Sequence, residues 1–158
     1  MNTGSGVHAV VSTAELAQIV RHYAGRPELW RDQVRFETGQ RFYLRLEQAD
    51  EHEVWLLTWL PGQRTGFHDH GMSSGAFVVT IGGLTEIAVA AGKPELVGRT
   101  LPRGSGRVFG PQYVHDVRND STDPAVSIHA YSPPLSSMRR FDLAEDGRLR
   151  LTAEEREW

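Results

Sequence analysis

The feature that most constrains the fold of this chain is a series of short segments whose apolar residues alternate with polar ones, each cut off by a Gly, Pro, Asn or Asp turn. Phe42, Leu44 and Leu46 alternate with Arg41, Tyr43 and Arg45, and the Asp50-Glu51 turn leads into Val54–Leu60, which Pro61-Gly62 closes. A period of two places alternate side chains on one face of an extended strand, so this pattern predicts half-buried strands rather than helices. Further strands are expected at 66–70, 76–81, 84–90, 95–101, 106–109, 113–118 and 125–131, separated by Gly82-Gly83, Gly92, Pro102–Gly104, Gly110-Pro111 and Asp120–Pro124. Many short strands at such spacing predict a β-sandwich or barrel. Helix is confined to the start: Ser12-Thr13-Ala14-Glu15 reads as a capping box, followed by a stripe of Leu16, Ile19, Val20 and Tyr23 that Gly25 ends. A short second helix or turn follows Pro27, and a strand pair is expected around Asp146-Gly147. With 158 residues the chain fits one domain, residues 1–158, of which 1–11 read as a mobile lead-in.

Composition narrows the partners. The formal charge of -3 is spread through mixed-sign segments with no basic stripe, which argues against nucleic acid. Apolar runs are short and the N-terminus lacks a signal-like apolar core, so a soluble cytoplasmic protein with no membrane partner is expected, and a monomer is compatible with everything in the sequence. Cysteine is absent, so any metal must be held by nitrogen or oxygen.

Those nitrogens are offered by Gly66-Phe67-His68-Asp69-His70-Gly71. Residues two apart on a strand share a face, so His68 and His70 can reach one point while Asp69 faces away. An isolated histidine is more often a surface or structural residue, and an H-x-H pair also arises by chance; the surroundings decide. Gly62 stands six before His68, and Gly75 and Gly82 stand five and twelve after His70. This frame resembles the first motif of the cupins, small jelly-roll β-barrels that hold a metal inside. A cupin would have a ligating Glu where Gly75 stands. The second motif is matched by Pro111, His115 and Asn119, which makes His115 the third ligand by resemblance.

A narrower resemblance lies at Ser127-Ile128-His129-Ala130-Tyr131-Ser132-Pro133-Pro134, similar to the S-x-H-x-Y-S-P-P segment of cysteine dioxygenases. In that family iron is held by three histidines without a carboxylate, which accounts for the missing Glu. Tyr43-Leu44-Arg45 resembles the family's Y-x-R, whose arginine pairs with the substrate carboxylate, and lies at the family's distance upstream of the histidine pair. The resemblance therefore implies a mainly β cupin jelly-roll barrel with one or two short N-terminal helices. It implies one mononuclear Fe(II) on His68, His70 and His115, no organic cofactor, and a small thiol and O2 as reactants. Animal members carry a cysteine near the first motif that forms a thioether with the active-site tyrosine. Gly75 occupies that place here, so Tyr131 is expected unmodified, and the family also places a cis peptide at Ser132-Pro133.

Three neutral imidazoles leave Fe(II) its full charge and open positions for an anionic thiolate. The product implied is a sulfinic acid, both oxygen atoms going to sulfur without an external reductant. Ser127, His129 and Tyr131 share a strand face and can form a hydrogen-bonded row that ends in a phenol aimed at the cavity; standing alone they would read as a satisfied core histidine beside a core tyrosine. Arg45 offers a fixed fork for a carboxylate and Tyr43 shares its face; the plain alternative is an outward strand arginine, the reading given to Arg41. Met72 and Arg64 flank the histidine pair and are candidate substrate contacts. Trp55, Leu57 and Trp59 read as core. His8, His22 and His52 read as surface residues. The expected reaction is L-cysteine to cysteine sulfinic acid. Alternatives are another small thiol carboxylate such as 3-mercaptopropionate, a zinc hydratase or hydrolase on the same histidines, and a non-catalytic cupin that binds a small molecule.

Overall fold

The computed structural model describes residues 10–89 and 95–157. Its one α-helix, α1 (Thr13–Ala24), begins where the capping box predicts: the Ser12 side chain accepts a hydrogen bond from the Glu15 amide at 3.1 Å. Two 3-10 turns, Pro27–Leu29 and Arg31–Gln33, follow in place of a second α-helix. The remainder is strand: β1 (Tyr43–Gln48), β2 (Glu53–Trp59), β3 (Phe67–His68), β4 (Ser74–Ile81), β5 (Leu84–Val89), β6 (Leu96–Leu101), β7 (Gly106–Phe109), β8 (His115–Arg118), β9 (Ala125–Ser132), β10 (Met138–Leu143) and β11 (Leu149–Glu155). The expected Gly92 turn and residues 1–9 of the lead-in, with His8, lie outside the described residues. Val11 is no part of a mobile segment: it is buried and its amide donates to Ser132 Oγ at 3.0 Å.

The strands form two antiparallel sheets, ordered β1-β2-β9-β4-β7 and β11-β10-β3-β8-β5-β6. Both faces of the first sheet are covered. On its outer face Leu16 and Val20 of α1 pack with Val54, Leu56, Val78 and Ile128; on its inner face Trp59, Phe77 and Val79 meet Leu84, Leu101 and Val117 of the second sheet. That double burial explains why β9 is buried at every position and reads in sequence as a nearly unbroken apolar run. In the second sheet β5 alternates buried and half-buried residues.

β3 is held on both sides. Phe67 and His68 pair with Phe141 and Arg140 of β10, and His68 pairs with His115 of β8. Asp69, which faces away from the histidines, is fully buried and moors the next turn: its carboxylate accepts from the Gly71 and Arg139 amides, both at 3.1 Å, and from Arg139 Nε at 2.8 Å. Gly71 closes the turn at φ 58°, where a side chain would also meet Ser137. Among the described residues no helix is long and apolar enough to cross a membrane.

Candidate metal centre

The register of β3 on β8 brings His68 and His115 side by side, and the i+2 spacing adds His70. All three are buried, and their ligand atoms lie within 4.8 Å of one another. Two of them have their tautomers set from behind. His68 Nδ1 donates to the Gly66 carbonyl at 2.9 Å, and His115 Nδ1 donates to Glu86 Oε2 at 3.0 Å. Each therefore turns a bare Nε2 lone pair toward the cluster. His70 Nε2 lies 3.1 Å from His68 Nε2, while its buried Nδ1 has no hydrogen-bond partner. Burial, reinforced by mutual repulsion, holds His68 and His70 well below the usual imidazole range. Three imidazole nitrogens converging on one point, with no carboxylate among them, fit one first-row divalent cation.

The opposite wall comes from the other sheet. On β9, Ser127 Oγ lies 2.7 Å from His129 Nε2, and Tyr131 Oη lies 3.5 Å from His129 Nδ1. Trp59 fixes the direction of this row. Its indole, a donor only, gives its N–H to Ser127 Oγ at 2.9 Å, so the serine proton points to His129 Nε2. Burial keeps His129 neutral, so its proton sits on Nδ1 facing the tyrosine oxygen, and the phenol O–H is left to the cavity. The Tyr131 ring centroid is 4.9 Å from that of His70, and burial raises the phenol above its ordinary range. The Ser132-Pro133 bond is cis, as expected.

Between the walls is a cavity of about 500 Å³, lined by Arg41, Tyr43, Trp55, Leu57, His68, His70 and Tyr131, with Arg140, Arg64 and Glu155 toward its mouth. Tyr43 is where the sequence places it. Arg45 is not: its guanidinium stands 3.6 Å from Glu53 and over the Trp55 ring, 45% exposed, and it does not line the cavity. Arg41, Tyr43 and Arg45 share a strand parity, but only Arg41, two residues before β1, and Tyr43, its first residue, line the cavity. The outward reading of Arg41 is thereby corrected. Its Cζ lies 4.6 Å from the centre of the Trp59 ring, and its buried Nε and one terminal nitrogen have no acceptor. Burial lowers it to about 10, which leaves it charged at neutral pH. Met72, 68% exposed, points to solvent outside the cavity. Of the aromatic row, Trp59 is core as read, whereas Trp55 and Leu57 line the cavity. His52 is 3.6 Å from Glu47 and not free on the surface. Arg140 and Glu86 were missed. Arg140, on β10, pairs directly with His68 of β3, a neighbour only sheet pairing reveals.

The family described as Cysteine dioxygenase type I matches residues 7–144. The chain belongs to that family. Cysteine dioxygenase type 1 of Danio rerio is 29% identical over 142 residues, covering 84% of this chain and 71% of the relative. The human cysteine dioxygenase type 1 is 28% identical over 143 residues, covering 84% and 70%. Among solved structures, the protein TT1209 of Thermus thermophilus superposes with a TM-score of 0.59 at 20% identity, covering 66% of this chain and 93% of the other. An RmlC-like cupin protein from Desulfovibrio desulfuricans gives 0.54 at 20% identity, covering 64% and 90%. The fold is thus that of the cupins, and this cysteine dioxygenase family member is an oxidoreductase of the thiol dioxygenase type.

Proposed function

We propose that this protein oxidises L-cysteine with O2 to cysteine sulfinic acid on one Fe(II) held by His68, His70 and His115, and that Arg41, rather than Arg45, receives the substrate carboxylate. The observation that carries the substrate reading is the buried Arg41 guanidinium, with two nitrogens lacking acceptors, in the wall of the cavity that His68 and His70 also line. A buried cation without a counter-ion is costly, and a carboxylate entering beside it supplies both charge and acceptors. Bound iron supplies a place where thiolate and O2 meet and the redox chemistry that activates O2. The protein supplies the rest. Neutral imidazoles take no charge from the metal, which favours an anionic thiol sulfur in the cavity. The free phenol O–H of Tyr131 is oriented, through His129, Ser127 and Trp59, to donate a hydrogen bond to the reactant nearest it. Trp55 and Leu57 keep water from the sulfur. The reaction balances as a thiol plus O2 giving a sulfinic acid, with no other electron donor.

Oxygen uptake and sulfinate formation would be measured on anaerobically Fe(II)-loaded protein with L-cysteine and with 3-mercaptopropionate. Arg41→Ala removes a charge-assisted pair in a desolvated site, worth roughly 2 to 5 kcal/mol, so kcat/KM for cysteine should fall by at least about thirtyfold with iron content unchanged. Arg45→Ala, at a half-exposed arginine outside the cavity, should change it by less than about fivefold. The reverse ranking would return the carboxylate to Arg45, and wild-type preference for the amine-free thiol would overturn the substrate. No oxygen uptake with any small thiol would overturn the activity.

A further inference from the structure

We propose that Glu86 is a positioning residue for the metal centre: from behind His115 it fixes that imidazole's tautomer and direction and so sets how tightly the three histidines hold a cation. The inference rests on the reading of His68, His70 and His115 as ligands. Glu86 lies on β5, next to β8 and on the side of it away from β3, and is fully buried. Its two oxygens have separate tasks. Oε2 accepts from His115 Nδ1 at 3.0 Å, while Oε1 accepts from Tyr113 Oη at 3.0 Å and Arg107 Nε at 3.1 Å. Tyr113 in turn stacks on Phe109, their centroids 5.1 Å apart, so the carboxylate is held from three directions and cannot swing away from the imidazole.

Such an arrangement does more than satisfy a buried acid. A carboxylate that accepts from the far nitrogen of a ligating histidine locks the proton there, keeps the near nitrogen bare and raises its basicity. Among the three ligands only His115 has this partner. His68 is backed by a neutral carbonyl, and His70 Nδ1 has none. Gly75 stands where a cupin would place a ligating Glu, so the site keeps a carboxylate but sets it behind an imidazole, out of reach of the cation. Arg107, 28% exposed, balances the buried charge and connects it to the surface.

The test uses metal binding, which needs no turnover. Metal-free wild type, Glu86→Gln and Glu86→Leu would be titrated with Co(II) and with Zn(II) against a competing chelator, and the visible Co(II) spectrum recorded. The Gln amide oxygen can still accept from His115 without carrying charge; Leu can do neither. Affinity should fall in the order wild type, Gln, Leu, with a loss of roughly 10- to 100-fold for Leu and a shifted Co(II) spectrum. Tyr113→Phe removes one of the two donors to Oε1 but keeps the carboxylate on His115, so its loss should be smaller than that of Glu86→Leu; a loss as large as that of Leu would overturn the assignment to Glu86. If Glu86→Leu does not fold, the Gln variant decides, and wild-type affinity and spectrum in Gln then overturn the proposal. Equal affinity and spectrum for wild type and Leu overturn it too. His115→Ala separates the two readings: if it binds as wild type does, the ligand assignment falls, whereas if it loses the metal while Glu86→Leu keeps it, only the role of Glu86 falls.

Discussion

Where a cupin would present a ligating carboxylate, Gly75 leaves a gap that Phe109 fills: a Cβ built on the glycine would collide with the Phe109 ring and press on Tyr131. Gly75→Ala should therefore destabilise the protein by about 1 to 3 kcal/mol, as overpacked cores do, and a second change, Phe109→Leu, should recover part of it. Urea unfolding of the single and double variants measures this; a Gly75→Ala midpoint equal to wild type would mean that the ring moves freely. The histidines were legible at this scale because ligand spacing is local: His68 and His70 share a face in any extended chain. Arg41 was not, since two arginines of equal parity differ only in where the strand lies relative to the opposite sheet. Met72 was misplaced for a related reason, because the turn after His70 carries it outward.

At the scale of elements, β3 is too short to persist alone and depends on its neighbours. Asp69 is the main mooring, with Arg139 and two amides on its carboxylate. Asp69→Ala leaves those amides without their acceptor and should cost roughly 2 to 5 kcal/mol. It should also lower Co(II) affinity, since His68 and His70 flank the residue; thermal unfolding together with a metal titration would check both, and an unshifted Tm would show that β10 holds β3 without it. Strand existence was readable nearly throughout from period-two alternation, and β10 and β11 from the Asp146-Gly147 turn. Strand ends were not. The expected 66–70 strand shrinks to Phe67–His68 because Gly66 and Gly71 both take positive φ, and the expected 113–118 strand starts at His115 after Gln112 turns at φ 62°.

Across the whole molecule, three buried imidazoles tie stability to pH. His68, His70 and His129 all have values held well below 6.5, chiefly by burial. In the unfolded chain they take up protons near 6.5, while the folded metal-free protein takes them up only at much lower pH. The unfolded state thus binds more protons, so stability is at its full value above 6.5 and falls as pH drops below it, by up to about 4 kcal/mol per pH unit for three groups. Denaturant midpoints of the metal-free protein at pH 7.5 and 5.5 should differ accordingly, and equal midpoints would place the imidazoles in water. The pairing of β3 between β8 and β10 also has a consequence for synthesis. His70 leaves the ribosome long before Met138–Leu143, the strand that completes β3, is made; at ~5–20 residues per second the interval is roughly 4 to 15 s. During that time β3 lacks one of its two neighbours, so retention of a metal ion is expected only after β10 has been made. Ribosome-stalled chains ending before β10 should fail to retain Co(II), and chains extending past β11 should retain it.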